Sequence, residues 1–140
     1  MVLIYLSLIF FLILGEFIHE GIKSNGRHIL SGTIESIWLL GIILITCSFA
    51  TGYLPKFIGY HPEHFIRLFI SYLCIRFSIG AYIYNLCAIL PLSYLGDTKF
   101  YDKSLKWIME KCKVPFNFIV FIQLCTFIIG MLLILFINRV

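Results

Sequence analysis

The sequence predicts an all-α, polytopic membrane protein: one domain over residues 1–140, with four transmembrane helices and a short amphipathic interfacial helix in loop three. Apolar residues make up 61% of the 140 residues and charged residues 13%, whereas soluble domains carry about 45–50% and about 25%. A chain of this length buries only about two-thirds of its surface on folding, so the apolar excess requires a bilayer as solvent. The same composition excludes a disordered chain, which needs low hydrophobicity.

Four apolar stretches of about 20 residues have the length that a helix needs to cross about 30 Å of hydrocarbon. We predict transmembrane helices over residues 2–22, 35–54, 65–90 and 115–137, because none of these stretches alternates as a membrane strand does. Pro55 is expected to end the second helix and Pro91 to end or kink the third, while Pro115 begins the fourth. Residues 24–26 are expected to form the turn between the first two helices.

The distribution of lysine and arginine predicts the orientation of the chain. Loops one and three carry seven of these residues, and the opposite side carries three, Lys56, Arg67 and Arg139. Loops one and three are therefore expected in the cytoplasm and both termini outside. We interpret the net charge of +4 as part of this topology signal and expect no nucleic-acid partner, because no basic patch is interleaved with exposed aromatic residues.

Loop three is predicted to contain the interfacial helix, over residues 98–112. Its apolar residues Tyr101, Leu105, Ile108 and Cys112 fall on one face, and its lysines occupy the rest. Basic amphipathic helices of this kind lie at the membrane surface and favour anionic lipid. The alternative is a solvated connector whose lysines only orient the chain.

The third transmembrane helix carries six small or polar residues at alternating spacings of three and four, which place them on one stripe. They are Ser71, Cys74, Ser78, Ala81, Asn85 and Ala88. In membranes such stripes line close helix contacts, so we expect this one to pack within the chain, with a pore or substrate path as the alternative. Arg76 lies on the opposite face of the helix, on the same side as Tyr72 and Gly80.

Arg76 is unusual because it lies about 18 Å from the outer end of its helix. A charge that faces lipid there costs at least about 2.5–3.5 kcal/mol, so we predict that Arg76 contacts a neighbouring subunit or another protein. The alternative is a pair with Glu16 inside the chain, with the first and third helices taken as antiparallel. Glu16, His19 and Glu20 share one face of the first helix, and a proton or cation site made of these residues and Glu35 is a further alternative.

We expect no enzyme, no cofactor and no metal. Glu16 and His19 form a single Glu-x-x-His motif, whereas di-iron bundles use two such motifs and two further glutamates. His61 and His64 leave a small metal site at the outer face as an alternative. The five cysteines form no Cys-x-x-Cys motif, and the sequence has neither a serine nucleophile elbow nor a phosphate-binding loop.

Residues 76–103 follow a distinctive order, in which an arginine precedes Tyr-Asn and is followed by Gly-x-Thr and an aspartate. The positions are Arg76, Tyr84, Asn85, Gly96, Thr98 and Asp102. This order resembles a pattern in uncharacterised small four-helix membrane proteins of Bacteroidota and their phages. The resemblance implies a bacterial or phage membrane protein, which we expect in the bacterial inner membrane, and it brings no known activity.

These observations predict a non-enzymatic membrane subunit that assembles with itself as a homo-oligomer or with a larger membrane complex. The grounds are the small size of the chain, a third helix with polar residues on both faces, and the incomplete catalytic motifs. The alternative function is a small ion channel or proton-coupled transporter that uses Glu16, His19 and Arg76.

Overall fold

The computed structural model describes residues 2–57, 63–93 and 100–136, and each secondary-structure element in these residues is a helix. The helices are α1 (Val2–Ser24), α2 (His28–Ala50), α3 (Tyr53–Phe57), α4 (Glu63–Cys87), α5 (Phe100–Cys112) and α6 (Phe116–Leu135). Helices α1, α2, α4 and α6 are long and apolar enough to cross a membrane. By length and composition, this confirms the four predicted transmembrane helices.

Helix α2 departs from its predicted range of 35–54 at both ends. It begins earlier, at His28, and it also ends earlier, at Ala50. The prediction that Pro55 ends this helix is wrong, because the chain already turns at Gly52, whose φ of 73° suits glycine. Pro55 lies instead in the first turn of α3, where its missing N–H breaks no helical hydrogen bond.

The ends of α4 and α6 follow from local backbone geometry. α4 ends at Cys87 rather than at residue 90, and Ile89 then takes a left-handed φ of 57°. The Leu90 N–H donates to the carbonyl of Asn85 over 2.8 Å, which closes this turn. Pro115 directly precedes α6 in an extended conformation, as its predicted place at the start of the helix requires.

The four long helices lie side by side in the order α2, α1, α4, α6. α1 packs along α2 and α4, and α4 packs along α6, whereas α2 does not pack along α4 or α6. Tyr5 near the start of α1 lies edge-on to His64 near the start of α4, with ring centroids 6.4 Å apart. α1 and α4 therefore run parallel, so the antiparallel expectation is wrong: α2 returns the chain to the side from which α1 started.

The core lies where α1 meets α4 and the end of α6. Its buried residues are Tyr5, Ile9, Ile13 and Phe17 of α1, Ile75 of α4 and Ile134 of α6. Residues four apart lie on one face of a helix, so α1 contributes a single ridge to this core.

Two glycines let the central helices approach closely. A Cβ atom at Gly21 of α1 would lie 2.7 Å from the backbone oxygen of Tyr84 in α4, and one at Gly130 of α6 would lie 2.8 Å from Cγ1 of Ile75 in α4. Small residues allow such backbone contacts between helices in lipid, where close packing replaces the hydrophobic drive. α4 is thus held tightly on both sides by the same chain.

Candidate functional site

A bidentate ion pair joins α1 to α4 halfway along α4. Nε of Arg76 donates to Oε2 of Glu16 over 3.0 Å, and Nη2 of Arg76 donates to Oε1. At helical rise Arg76 is about 20 Å from Glu63 at the start of α4. The fork of the guanidinium matches the two carboxylate oxygens, which is the strongest geometry for this pair of side chains.

Two aromatic residues surround the ion pair. The guanidinium carbon of Arg76 lies 5.2 Å from the centroid of the Phe17 ring, within the range of a cation–π contact. Gly80 makes room for that ring, since a Cβ there would lie 2.4 Å from Cζ of Phe17. Tyr72, one turn before Arg76 on α4, lies near both charged groups. The charges are therefore held by neighbours on two helices.

The structure pairs Arg76 with Glu16 of its own chain, and the predicted contact of Arg76 with a neighbouring subunit stays a prediction. Its physical basis was that helix three needs protein on both faces. α1 and α6 supply that protein from within the chain. The alternative of a pair between Glu16 and Arg76 is the arrangement that the structure shows.

The side chains of His19 and Glu16 contact different helices although the two residues lie three positions apart on α1. The His19 ring stacks on Trp38 of α2, with centroids 5.8 Å apart, and its backbone oxygen accepts a hydrogen bond from Ser31 of α2 over 2.8 Å. Glu16 points to α4 instead, while Glu20 is half-buried one turn further along. Among the described residues, no three His, Cys, Asp or Glu side chains lie together as ligands for a metal ion.

The polar stripe of α4 faces α6. Oγ of Ser71 donates to the carbonyl of Gly130 over 2.7 Å, and the hydroxyls of Ser78 and Thr126 lie 2.8 Å apart. Ser71 and Ser78 are buried. These contacts place the two serines of the stripe in the packing of α4 against α6.

The remaining members of the stripe extend it toward the end of α4. Cys74 lies against Gly130, Ala81 is half-buried, and Ala88 is buried. Asn85 is buried, and its side-chain amide donates to the carbonyl of Leu92 over 3.3 Å. We therefore assign Asn85 to the turn that ends α4.

An apolar cleft of about 680 Å³ opens between α1, α2 and α4 near the start of α1. Leu8 and Leu12 of α1, Ile45 and Thr46 of α2, and Phe69 and Tyr72 of α4 are among its lining residues. It lies where α2 packs along α1 but not along α4. Sequence reasoning did not find this cleft, since it depends on the angle between helices. The one feature of the sequence that pointed to this region was Tyr72, which lies on the same side of helix three as Arg76.

The predicted features outside the membrane helices are described in part. α5 spans Phe100–Cys112, close to the predicted 98–112, with Leu105 buried and Trp107 60% exposed. The side chains of Tyr101 and Asp102 lie outside the described part of the chain. His61, half of the possible outer metal site, also lies outside it, while His64 contacts Tyr5.

No protein-family model, no curated protein and no solved structure matches this chain. The resemblance of residues 76–103 to small membrane proteins of Bacteroidota and their phages stays a prediction, and its positions Gly96 and Thr98 lie outside the described residues. The fold and the site define the class: a helical chain with four helices long and apolar enough to cross a membrane, two of them joined by an ion pair.

Proposed function

We propose that this protein is an integral membrane subunit that acts by assembling, with copies of itself or with other membrane chains. It lies in the bacterial inner membrane with both termini outside and with loops one and three in the cytoplasm. α5 lies at the cytoplasmic interface, where its lysines contact anionic lipid and its exposed Trp107 enters the headgroup region.

The observation that carries this proposal is the position of α2 at the edge of the helix row. Among the residues of α2 only Ser31 is buried, because α2 packs along α1 and the short α3 but along neither of the other long helices. On its outward face Ile29 is 90% exposed and Ile37 64% exposed. Because the four long helices form an open row, no other long helix of the chain covers this face of α2. The face is therefore available to another chain.

The outward face of α2 also has the composition of a helix contact. Gly32 and Ser36 lie one turn apart, and a Cβ at Gly32 would meet nothing within 4 Å. Small residues four apart permit close approach between helices in membranes. The Ser36 hydroxyl donates a hydrogen bond to the Gly32 carbonyl over 2.8 Å. The side chain therefore presents little bulk to a partner.

The mass of the purified complex in mild detergent tests this proposal. We expect native mass spectrometry to show a dimer or larger complex, and Ser36→Leu to shift it to the monomer because leucine blocks close approach. Ser7→Leu is the matched control: Ser7 is exposed on α1 and bonds back to Leu3 in the same way, so its assembly stays unchanged. A monodisperse monomer at all protein concentrations contradicts the proposal.

The alternative function is a small ion channel or proton-coupled transporter, and the observation that favours it is the exposure of the ion pair. The side chains of Arg76 and Glu16 are 28% and 18% exposed halfway along α4. Charged groups at such depth are hallmarks of ion and proton paths. The sequence also suggested His19 as part of such a path, but His19 contacts α2 instead of the ion pair.

Flux through proteoliposomes tests this alternative. We expect proton or cation flux above that of empty liposomes, and its loss on Glu16→Gln or Arg76→Gln because each removes one charge of the pair. Arg67→Gln, which removes a charge near the start of the same helix, is the control and keeps the flux. Flux that survives both changes in the pair contradicts the alternative.

A further inference from the structure

We propose that α5 binds the phosphate groups of two anionic phospholipids through Lys103 and Lys111, with the indole of Trp107 at headgroup depth between them. This inference rests on the proposed position of α5 at the cytoplasmic interface and adds which face of α5 meets lipid and which head groups that face selects. Residues 100–113 hold four lysines and two acidic residues, a net charge of +2, which is complementary to the negative charge of anionic lipid.

One row of α5 side chains is turned toward the rest of the chain. Leu105 is buried, and Met109, one turn later, is half-buried. The sequence placed Leu105 on one apolar face with Ile108 and Cys112, whereas in the structure Ile108 is 37% exposed and Cys112 is exposed. Residues four apart share a helix face, so the chain itself covers the Leu105 row and leaves the Ile108 row open.

The open side of α5 is amphipathic. Lys103, Trp107 and Lys111 follow one another at intervals of four residues and form one exposed basic row. Ile108 directly follows Trp107, so the open apolar row lies next to the basic row. Lysine stems cover apolar surface while their charges stay in water, and tryptophan is enriched where head groups meet hydrocarbon. The basic row therefore fits the phosphate layer of a membrane, and the apolar row fits the hydrocarbon beside it.

Trp107 keeps the two lysines on separate phosphates. Lys103 and Lys111 are eight residues apart, which is about 12 Å along the helix axis, and the indole between them is 60% exposed. A single phosphate does not reach both ammonium groups past the indole, so each lysine binds its own lipid. Glu110 is exposed too, but the lysines outnumber it three to one among the described side chains of α5, so the surface stays positive.

The position of α5 next to α6 selects lipid, and not a soluble anion, as the partner. Lys111 precedes Phe116, the first residue of α6, by five residues, so the two lie at most about 18 Å apart even along an extended chain. α6 is long and apolar enough to cross a membrane, and head groups form the layer directly outside the hydrocarbon. α5 packs along none of the four long helices, which leaves its basic row open to that layer.

Quenching of Trp107 fluorescence by brominated lipid tests the proposal. The Trp38→Phe variant, in which Trp107 is the single tryptophan, is placed in phosphatidylcholine nanodiscs that contain the same mole fraction of brominated phosphatidylglycerol or brominated phosphatidylcholine. We expect the anionic lipid to be enriched beside Trp107 at least about tenfold, because each basic residue near an anionic surface contributes about fivefold. Equal quenching by the two lipids overturns the proposal, and so does the absence of quenching by both, which places α5 away from the bilayer.

Matched variants in the same background locate the site. Lys103→Gln and Lys111→Gln each reduce the enrichment about fivefold, and the double variant removes it. Lys56→Gln is the control, because it removes the same charge from an exposed residue of α3, at the opposite end of the long helices, and leaves the enrichment unchanged. Enrichment that survives the double variant, or that falls as far in Lys56→Gln, overturns the proposal.

Two further measurements keep the test decisive. If Trp38→Phe fails to fold, the difference in quenching between the wild type and Trp107→Phe gives the share of Trp107, whose exposed side chain can be replaced without disturbing the core. The complex mass of the double lysine variant in mild detergent stays that of the wild type, so failure of the lipid site and failure of the assembly proposal are distinguishable.

Discussion

Arg76→Gln destabilises the folded protein by about 3 kcal/mol, because it leaves the Glu16 carboxylate without its counter-charge between two helices. Glu16→Gln has a similar cost, since the guanidinium then lacks its bidentate acceptor. The double variant, Glu16→Gln with Arg76→Gln, costs less than the sum of the two, because neither charge is left alone. Unfolding in mixed micelles measures all four corners of this double-mutant cycle.

Arg67→Gln is the control for this cycle. It removes an arginine from the first turns of the same helix, and we expect its free energy of unfolding to stay within about 0.5 kcal/mol of the wild type. Additive effects of the Glu16 and Arg76 substitutions would contradict the prediction, because two residues that act as a pair are coupled.

Gly21→Ala and Gly32→Ala are expected to change stability in opposite directions. At Gly21 the added methyl group would lie 2.7 Å from the Tyr84 carbonyl oxygen and 2.6 Å from Cβ of Cys87. Neither backbone can move aside alone, so α1 and α4 must separate, at a cost of about 2–3 kcal/mol. At Gly32 the methyl group meets nothing within 4 Å.

Gly32→Ala therefore stabilises the single chain, dissociated from any partner, by about 0.5–1 kcal/mol, the usual gain when alanine replaces glycine inside a helix. The same unfolding measurement in mixed micelles compares the two variants. A stabilising Gly21→Ala would contradict the close α1–α4 contact at this residue, and a strongly destabilising Gly32→Ala would mean that this face of α2 is covered within the chain.

The sequence allowed the four long helices to be found because their signal is local. Length and apolarity are properties of each stretch by itself, and the start of α6 at Pro115 follows from one residue. The end of α2 was misplaced at Pro55 because a proline tolerated in the first turn of the next helix cannot be told in advance from one that ends the previous helix. The turn at Gly52 decided that boundary.

The sequence predicted that the polar stripe of α4 packs against another helix, but it did not predict which helix. Its spacing shows that Ser71 and Ser78 share a face, and the membrane environment implies that this face packs. Which helix it meets depends on the order of the helices in space. Only the structure shows that the stripe contacts Gly130 and Thr126 of α6.

The sequence by itself determined that this chain has four helices long and apolar enough to cross a membrane, and that Arg76 needs a partner. Only the tertiary structure decided that the partner is Glu16, sixty residues earlier, and that α2 stands apart to leave a cleft above the pair. The physical reason is the range of each effect: helix formation and hydrophobicity act within one segment, whereas ion pairs and clefts arise from the packing of segments far apart in the chain.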